Sequence, residues 1–155
     1  MPIGKLAHYS VRTTDLSASL KFYTEVLGFK VGFRPPFNFP GVWLYLGDDE
    51  STYGVVHLIG IDPNDSSGLV TYLGDKAAND LVGSASIDHL AFLASDLPDM
   101  YQRLKNAAIE YRERTIPSLG LHQVFLEDPS KVTIELNYPA EEAIRLMHPE
   151  GIANV

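Results

Sequence analysis

Three residues are chemically out of keeping with their neighbours: His57 in Val55-Val56-His57-Leu58-Ile59, His89 in Ile87-Asp88-His89-Leu90-Ala91, and Glu135 in Val132-Thr133-Ile134-Glu135-Leu136. A carboxylate inside an apolar strand is costly to bury unless a cation or a metal faces it. His8 joins them through an internal repeat, because a shift of 81 residues lays His8 on His89 and Asp15-Leu16 on Asp96-Leu97. His57 and Glu135 both fall in the last strand of their copies. Imidazole and carboxylate together suit Fe, Ni, Zn, Mn or Co, and two histidines with one carboxylate leave coordination positions open for chemistry. The plainer alternative makes each histidine an ordinary hydrogen-bonded core residue and pairs Glu135 with a buried arginine.

The elements that would position these groups follow from periodicity. At the same shift, Leu16, Leu20, Tyr23 and Leu27 fall on Leu97, Tyr101, Leu104 and Ala108, each set spaced as one face of an amphipathic helix. Asp15 or Ser17 starts the first helix and Gly28 stops it; Asp96 caps the second, with Pro98 just inside. Strands are expected before each helix, at Leu6 to Val11 and Ser86 to Leu93. After the first helix come Phe29 to Phe33, Val42 to Leu46 and Gly54 to Ile59. After the second come Glu110 to Thr115, Leu121 to Leu126 and Lys131 to Asn137, the last two joined across the turn-forming Asp128-Pro129-Ser130. The expected fold is α+β: two pseudo-symmetric βαβββ modules, about 4–61 and 86–139, forming a cupped mixed sheet around a metal site. Residues 62–85, rich in Asp, Ser, Gly and Asn, read as a linker with a lid role, and Ala140 to Met147 as a closing helix. The whole is expected to be a single domain over residues 1–155.

Composition narrows the function. Twenty acidic side chains against twelve basic give a charge of -8 over 155 residues, which repels nucleic acid and anionic lipid. The absence of cysteine excludes disulfides, thiolate metal sites and a cysteine nucleophile. No run approaches the roughly 20 apolar residues of a membrane span, so a cytoplasmic protein without nucleic-acid or membrane partners is expected.

The segments His8-Tyr-Ser-Val-Arg12-Thr-Thr-Asp15-Leu16, Phe22-Tyr23-Thr-Glu-Val-Leu27-Gly28-Phe29, Ile87-Asp88-His89-Leu90-Ala91-Phe92, and Glu127-Asp128-Pro129 leading to Ile134-Glu135-Leu136 resemble the vicinal oxygen chelate superfamily. That superfamily includes glyoxalase I, fosfomycin-resistance transferases, methylmalonyl-CoA epimerase and extradiol ring-cleaving dioxygenases. The resemblance implies a divalent metal held by His8, His89 and Glu135, and a homodimer, with the site inside one chain or shared by two. His57 falls at the position that varies among members, as a fourth ligand or as an acid/base.

A lining of Phe33, Pro35, Pro36, Phe37, Phe39, Pro40, Trp43 and Tyr45 with the cation Arg34 suits a flat hydrophobic molecule, the alternative being a hairpin packed on the core. Phe39, Trp43 and Tyr45 are therefore taken as substrate contacts. Arg12 joins them, four residues after His8 on the same strand face, where glyoxalase I is similar in having an arginine for glutathione. His122 is a further candidate contact, with an exposed strand histidine as its alternative, and His148 reads as surface. The favoured expectation is an Fe(II)-dependent extradiol-type dioxygenase acting on a catechol-like aromatic, with His57 as its acid/base. A glyoxalase I-like isomerase on an α-oxo substrate, using Ni(II), Zn(II), Mn(II) or Co(II), is the alternative. A thiol transferase or a metal-free drug-binding protein ranks behind both.

Overall fold

The computed structural model describes residues 8–47, 54–84 and 89–147. His148, and the starts of the two expected leading strands at Leu6 and Ser86, lie outside them. The chain divides into two compact units, Met1–Val82 and Gly83–Val155. The first unit runs β1 (Tyr9–Thr13), α1 (Leu16–Lys21, continued by a π-helical turn Phe22–Val26), β2 (Lys30–Gly32), β3 (Gly41–Tyr45), β4 (Val56–Gly60) and α2 (Ser67–Leu73). The second runs β5 (Leu90–Leu93), α3 (Leu97–Asn106), β6 (Tyr111–Ile116), β7 (Leu121–Glu127), β8 (Thr133–Pro139) and α4 (Ala140–Met147). Each unit carries a four-stranded mixed sheet of the same topology, β1-β4-β3-β2 in one and β5-β8-β7-β6 in the other. The βαβββ repeat read from the sequence is therefore present twice.

Both helices start where their caps direct. The Asp15 carboxylate accepts from the Ala18 amide at 2.9 Å, and Asp96 caps Asp99 with Pro98 in the first turn. The buried stripe of the first helix nevertheless differs from the periodic set. Ser19, Phe22, Tyr23 and Val26 are buried, while Leu16, Leu20 and Leu27 are half-buried. The four buried residues are themselves spaced as one helical face, and a π turn follows within it, the Leu27 amide reaching back five residues to the Phe22 carbonyl. Gly28, at φ 82, ends the helix in a left-handed conformation open to glycine at no cost. In the second unit Leu97, Met100 and Leu104 of α3 are buried, as are Val124, Ile134 and Leu136 of the sheet.

The β7–β8 turn is built around a buried carboxylate. Asp128 is 2% exposed and accepts from the Ser130 and Val132 amides, both at 2.8 Å. Asp128→Ala leaves those two amides without their acceptor, so a stability loss of about 1–3 kcal/mol is expected in urea unfolding. A loss below a few tenths would mean that the turn holds itself.

The segment expected as a linker is more structured than its composition suggests. Residues through Val82 belong to the first unit and include α2 and a 3-10 turn at Ala78–Leu81. Its apolar spacing is short, with Leu69, Tyr72 and Leu73 on one stripe, and Leu69 is buried against the unit.

Candidate functional site

Strand β4 lies inside its sheet, and its register sets the first cluster. His57 pairs with Ser10 of β1 on one side and Trp43 of β3 on the other, so these three side chains share a face. His8, two residues before Ser10, shares it too. The imidazole of His57 is stacked on His8 at 3.9 Å and on Trp43 at 4.0 Å, with interplanar angles of 16° and 4°.

His57 is 8% exposed, and its Nε2 has no hydrogen-bond partner. The hydrogen bond from the ring to the Gly54 backbone therefore falls on Nδ1. Burial, then the nearby charge of His8, pushes the His57 pKa down from 6.5 to about 4; Arg34 adds to this and the Gly54 hydrogen bond opposes it. The ring is neutral at pH 7, with its lone pair on Nε2. A lowered folded-state pKa means that the unfolded chain takes up the proton first. Between pH 6.5 and about 4 this ring thus makes the metal-free protein less stable as pH falls, and above that window it contributes no pH dependence. Urea unfolding at pH 7 and 4.5 should show His57→Gln losing less stability on acidification than wild type; equal losses would remove His57 from the acid response.

A cavity of ≈ 270 Å³ opens over this cluster, with Phe37, Phe39, Tyr72 and Arg34 as its walls. Phe37 and Phe39 stack at 5.2 Å, and Tyr72 from α2 lies 5.1 Å and 5.7 Å from them. The Arg34 guanidinium sits 4.9 Å and 5.1 Å over the same two rings, and its Nη2 donates to the Phe39 carbonyl at 2.9 Å.

Arg12 and Gly68 keep α2 in place. Arg12 donates from Nη1 to the Gly74 carbonyl and from Nη2 to the Leu73 carbonyl, both at 2.9 Å, placing a cation at the end of α2 where the last carbonyls point. A Cβ on Gly68 would stand 2.0 Å from the Asn38 carbonyl oxygen, so only glycine allows this approach. Gly68→Ala is expected to cost about 1–3 kcal/mol by overpacking and to push Tyr72 off Phe37 and Phe39. Urea unfolding and near-ultraviolet dichroism check this, and an unchanged stability would show that α2 is not held there.

The second unit presents its own pair. Glu135 pairs with Phe125 of β7 and Ala91 of β5 in register. It is thus the repeat counterpart of His57, as Phe125 is of Trp43, Ala91 of Ser10 and His89 of His8. Glu135 is 6% exposed, and its Oε2 lies 3.0 Å from Nε2 of His89. Oε1 accepts from the Gln123 amide at 2.9 Å and the Asn137 amide at 2.6 Å. The arginine envisaged as a direct partner is one step removed: Arg114 donates to Gln123 Oε1 at 2.6 Å. Two amides thus fix the carboxylate while its other oxygen faces an imidazole, which is how outer hydrogen bonds orient a metal-ligating carboxylate.

The expected metal residues are brought together as two pairs, His8 with His57 and His89 with Glu135, each inside its own unit. Among the described residues no three His, Asp or Glu side chains form one metal-holding cluster. A larger, more open depression of ≈ 530 Å³ beside Tyr111, Arg112 and Phe125 contains none of these four residues.

Three expected substrate contacts have other places, and the first, Arg12, gives two of its donors to the end of α2 and does not line the ≈ 270 Å³ cavity. Tyr45 does not line the ≈ 270 Å³ cavity: it is buried, with its hydroxyl donating to the Phe33 carbonyl at 2.7 Å. His122 is neither an exposed strand residue nor a neighbour of Glu135. It pairs with Tyr138 across the strands and so faces the side opposite to Gln123 and Phe125. There it is 1% exposed, with Nδ1 2.8 Å from Thr115 Oγ1 and Nε2 3.2 Å from the Tyr101 hydroxyl. Phe39 and Trp43 do line the cavity. Tyr72 and Gln123 are additions: Tyr72 is signalled only by its spacing from Leu69, and Gln123 only by a strand register that no local pattern reveals.

A family model described as the Glyoxalase/Bleomycin resistance protein/Dioxygenase superfamily matches residues 5–136. The chain is 28% identical over 141 residues to a probable lactoylglutathione lyase of Vibrio parahaemolyticus serotype O3:K6, covering 88% of this chain and 91% of that protein. It is 26% identical over 138 residues to Glyoxylase I 4 of Arabidopsis thaliana, covering 86% and 70%. Among solved structures, a lactoylglutathione lyase from Agrobacterium tumefaciens superimposes with a TM-score of 0.55 at 21% identity, covering 91% of this chain and 98% of that one. These names favour the isomerase expectation over the ring-cleaving one.

Proposed function

Because the chain belongs to the Glyoxalase/Bleomycin resistance protein/Dioxygenase superfamily, we propose that it is a divalent-metal-dependent lyase of the glyoxalase I kind, rearranging the thiol adduct of an α-oxoaldehyde. His8, His89 and Glu135 serve as metal ligands, His57 moves the proton, and the protein works as a homodimer. The observation that carries this reading is His57 itself, a buried imidazole that lines the cavity and whose Nε2 has no partner, at the repeat position that Glu135 fills in the other unit.

The donor set fits such an ion. Imidazole nitrogen and carboxylate oxygen with no thiolate suit Ni(II) or Zn(II), and the names of the relatives point to lyase chemistry and away from the dioxygenase that needs Fe(II). A bound divalent ion supplies Lewis-acid polarisation of a substrate carbonyl. Gln123 and Asn137 hold the Glu135 carboxylate in one orientation for its ligand role. Gly54 fixes the tautomer of His57 through Nδ1, which leaves Nε2 to take a proton from the carbon beside the carbonyl and return it to the neighbouring carbon. Phe37, Phe39 and Tyr72 supply an aromatic wall beside that transfer.

The competing chemistry has a direct test. Anaerobically purified, Fe(II)-loaded protein offered substituted catechols is expected to consume no oxygen above the free-metal control. Oxygen uptake with a yellow ring-opened product would restore the ring-cleaving dioxygenase.

A further inference from the structure

We propose that the cavity of the first unit is selective for a planar aromatic group that carries a negative charge, with the Arg34 guanidinium as its recognition element. The inference goes beyond the proposed function: it names a class of group that this cavity accepts besides the thiol adduct, and does not depend on that reaction.

Four aromatic side chains, Phe37, Phe39, Trp43 and Tyr72, bound a space of ≈ 270 Å³. That volume lies just under the roughly 300–1,000 Å³ of drug-sized pockets and suits one or two fused rings. The lining contains no carboxylate, and among the described residues no acid forms a salt bridge with Arg34. In a chain with a net charge of -8 this is a local reversal of sign.

The guanidinium is positioned for the task. It is braced over Phe37 and Phe39 and bonded through Nη2 to the Phe39 carbonyl, which leaves most of its five N–H donors for an incoming acceptor. Gly41 makes room for it, since a Cβ there would lie 3.1 Å from Nη2 and 2.6 Å from the Leu58 carbonyl oxygen. A planar, braced guanidinium matches a carboxylate through two parallel hydrogen bonds, and the surrounding rings offer faces for stacking. A neutral aromatic would find the same walls but would leave the cation without its counter-charge.

Isothermal titration calorimetry of the metal-free protein with 2-naphthoate and its uncharged isostere 2-naphthamide tests this. The acid is expected to bind about tenfold tighter than the amide or better, a ratio worth about 1.4 kcal/mol. Arg34→Gln should bring the two affinities together, and Phe39→Ala should weaken both probes. Equal affinities in the wild type, or heat from neither probe, would overturn the proposal. The wild-type comparison decides it even if Arg34→Gln fails to fold. A protein that binds the acid but rearranges no thiol adduct keeps this inference and loses the proposed function. One that rearranges the methylglyoxal adduct and binds neither probe does the reverse.

Discussion

His57→Ala is expected to lower turnover of the thiol adduct by about 10²- to 10⁴-fold while the protein keeps one equivalent of metal, the usual range for removing a positioned acid/base group. The size follows from its setting. Its Nε2 is buried without a partner, and the ring is bonded to the Gly54 backbone, so the proposed base is held in one orientation. The ring is also packed between His8 and Trp43, and its removal leaves a void that relaxes only in part. His57→Gln therefore serves as the companion variant, since it fills more of the space without supplying a base. Turnover within a factor of three of wild type for both variants would remove His57 from proton transfer. Loss of the metal in both would make it a ligand instead.

The second large effect concerns the carboxylate. Glu135→Ala is expected to weaken Ni(II) or Zn(II) binding by more than about 10²-fold, because changes to outer hydrogen-bond partners alone cost about 10- to 100-fold and this one removes a donor outright. Metal content after dialysis at fixed free ion is the measurement. The substitution also leaves the Gln123 and Asn137 amides and the His89 ring without the oxygens they face. A stability loss of about 1–3 kcal/mol should accompany it in the metal-free protein. Glu135→Gln separates the two effects, since it keeps an acceptor for those amides and loses the charge. Stoichiometric metal in both variants would exclude Glu135 as a ligand.

The repeat was legible because it is written in residue types that strands and helix caps demand. His8 and His89, and Asp15 and Asp96, recur at one spacing, and the doubled βαβββ order and the cap hydrogen bonds agree with that repeat. Register was not legible. That His57 stands opposite Trp43 as Glu135 stands opposite Phe125 depends on pairings between distant strands, and so does the orientation of Glu135 by Gln123. The face of His122 was lost for the same reason, since one residue of register decides between the Gln123 side and the Tyr138 side.

Composition misled at α2. Residues 62–85 are rich in Asp, Ser, Gly and Asn, yet Leu69 is buried and Tyr72 meets Phe37 and Phe39, with Gly68 letting the short helix approach Asn38 and Arg12 holding its last carbonyls. Arg12 shares its strand face with His8, as expected, and two of its donors hold that helix end. Among the described residues no helix is long and apolar enough to cross a membrane.

The most direct measurement is thioester formation from the methylglyoxal–glutathione adduct, followed by absorbance as chelator-stripped protein is titrated with Ni(II) and, separately, Zn(II). No rate is expected in the stripped protein, and a rate that rises with added ion to a plateau at one equivalent per chain is expected on titration. Stoichiometric binding of either ion with no thioester at any ratio would contradict the proposed function.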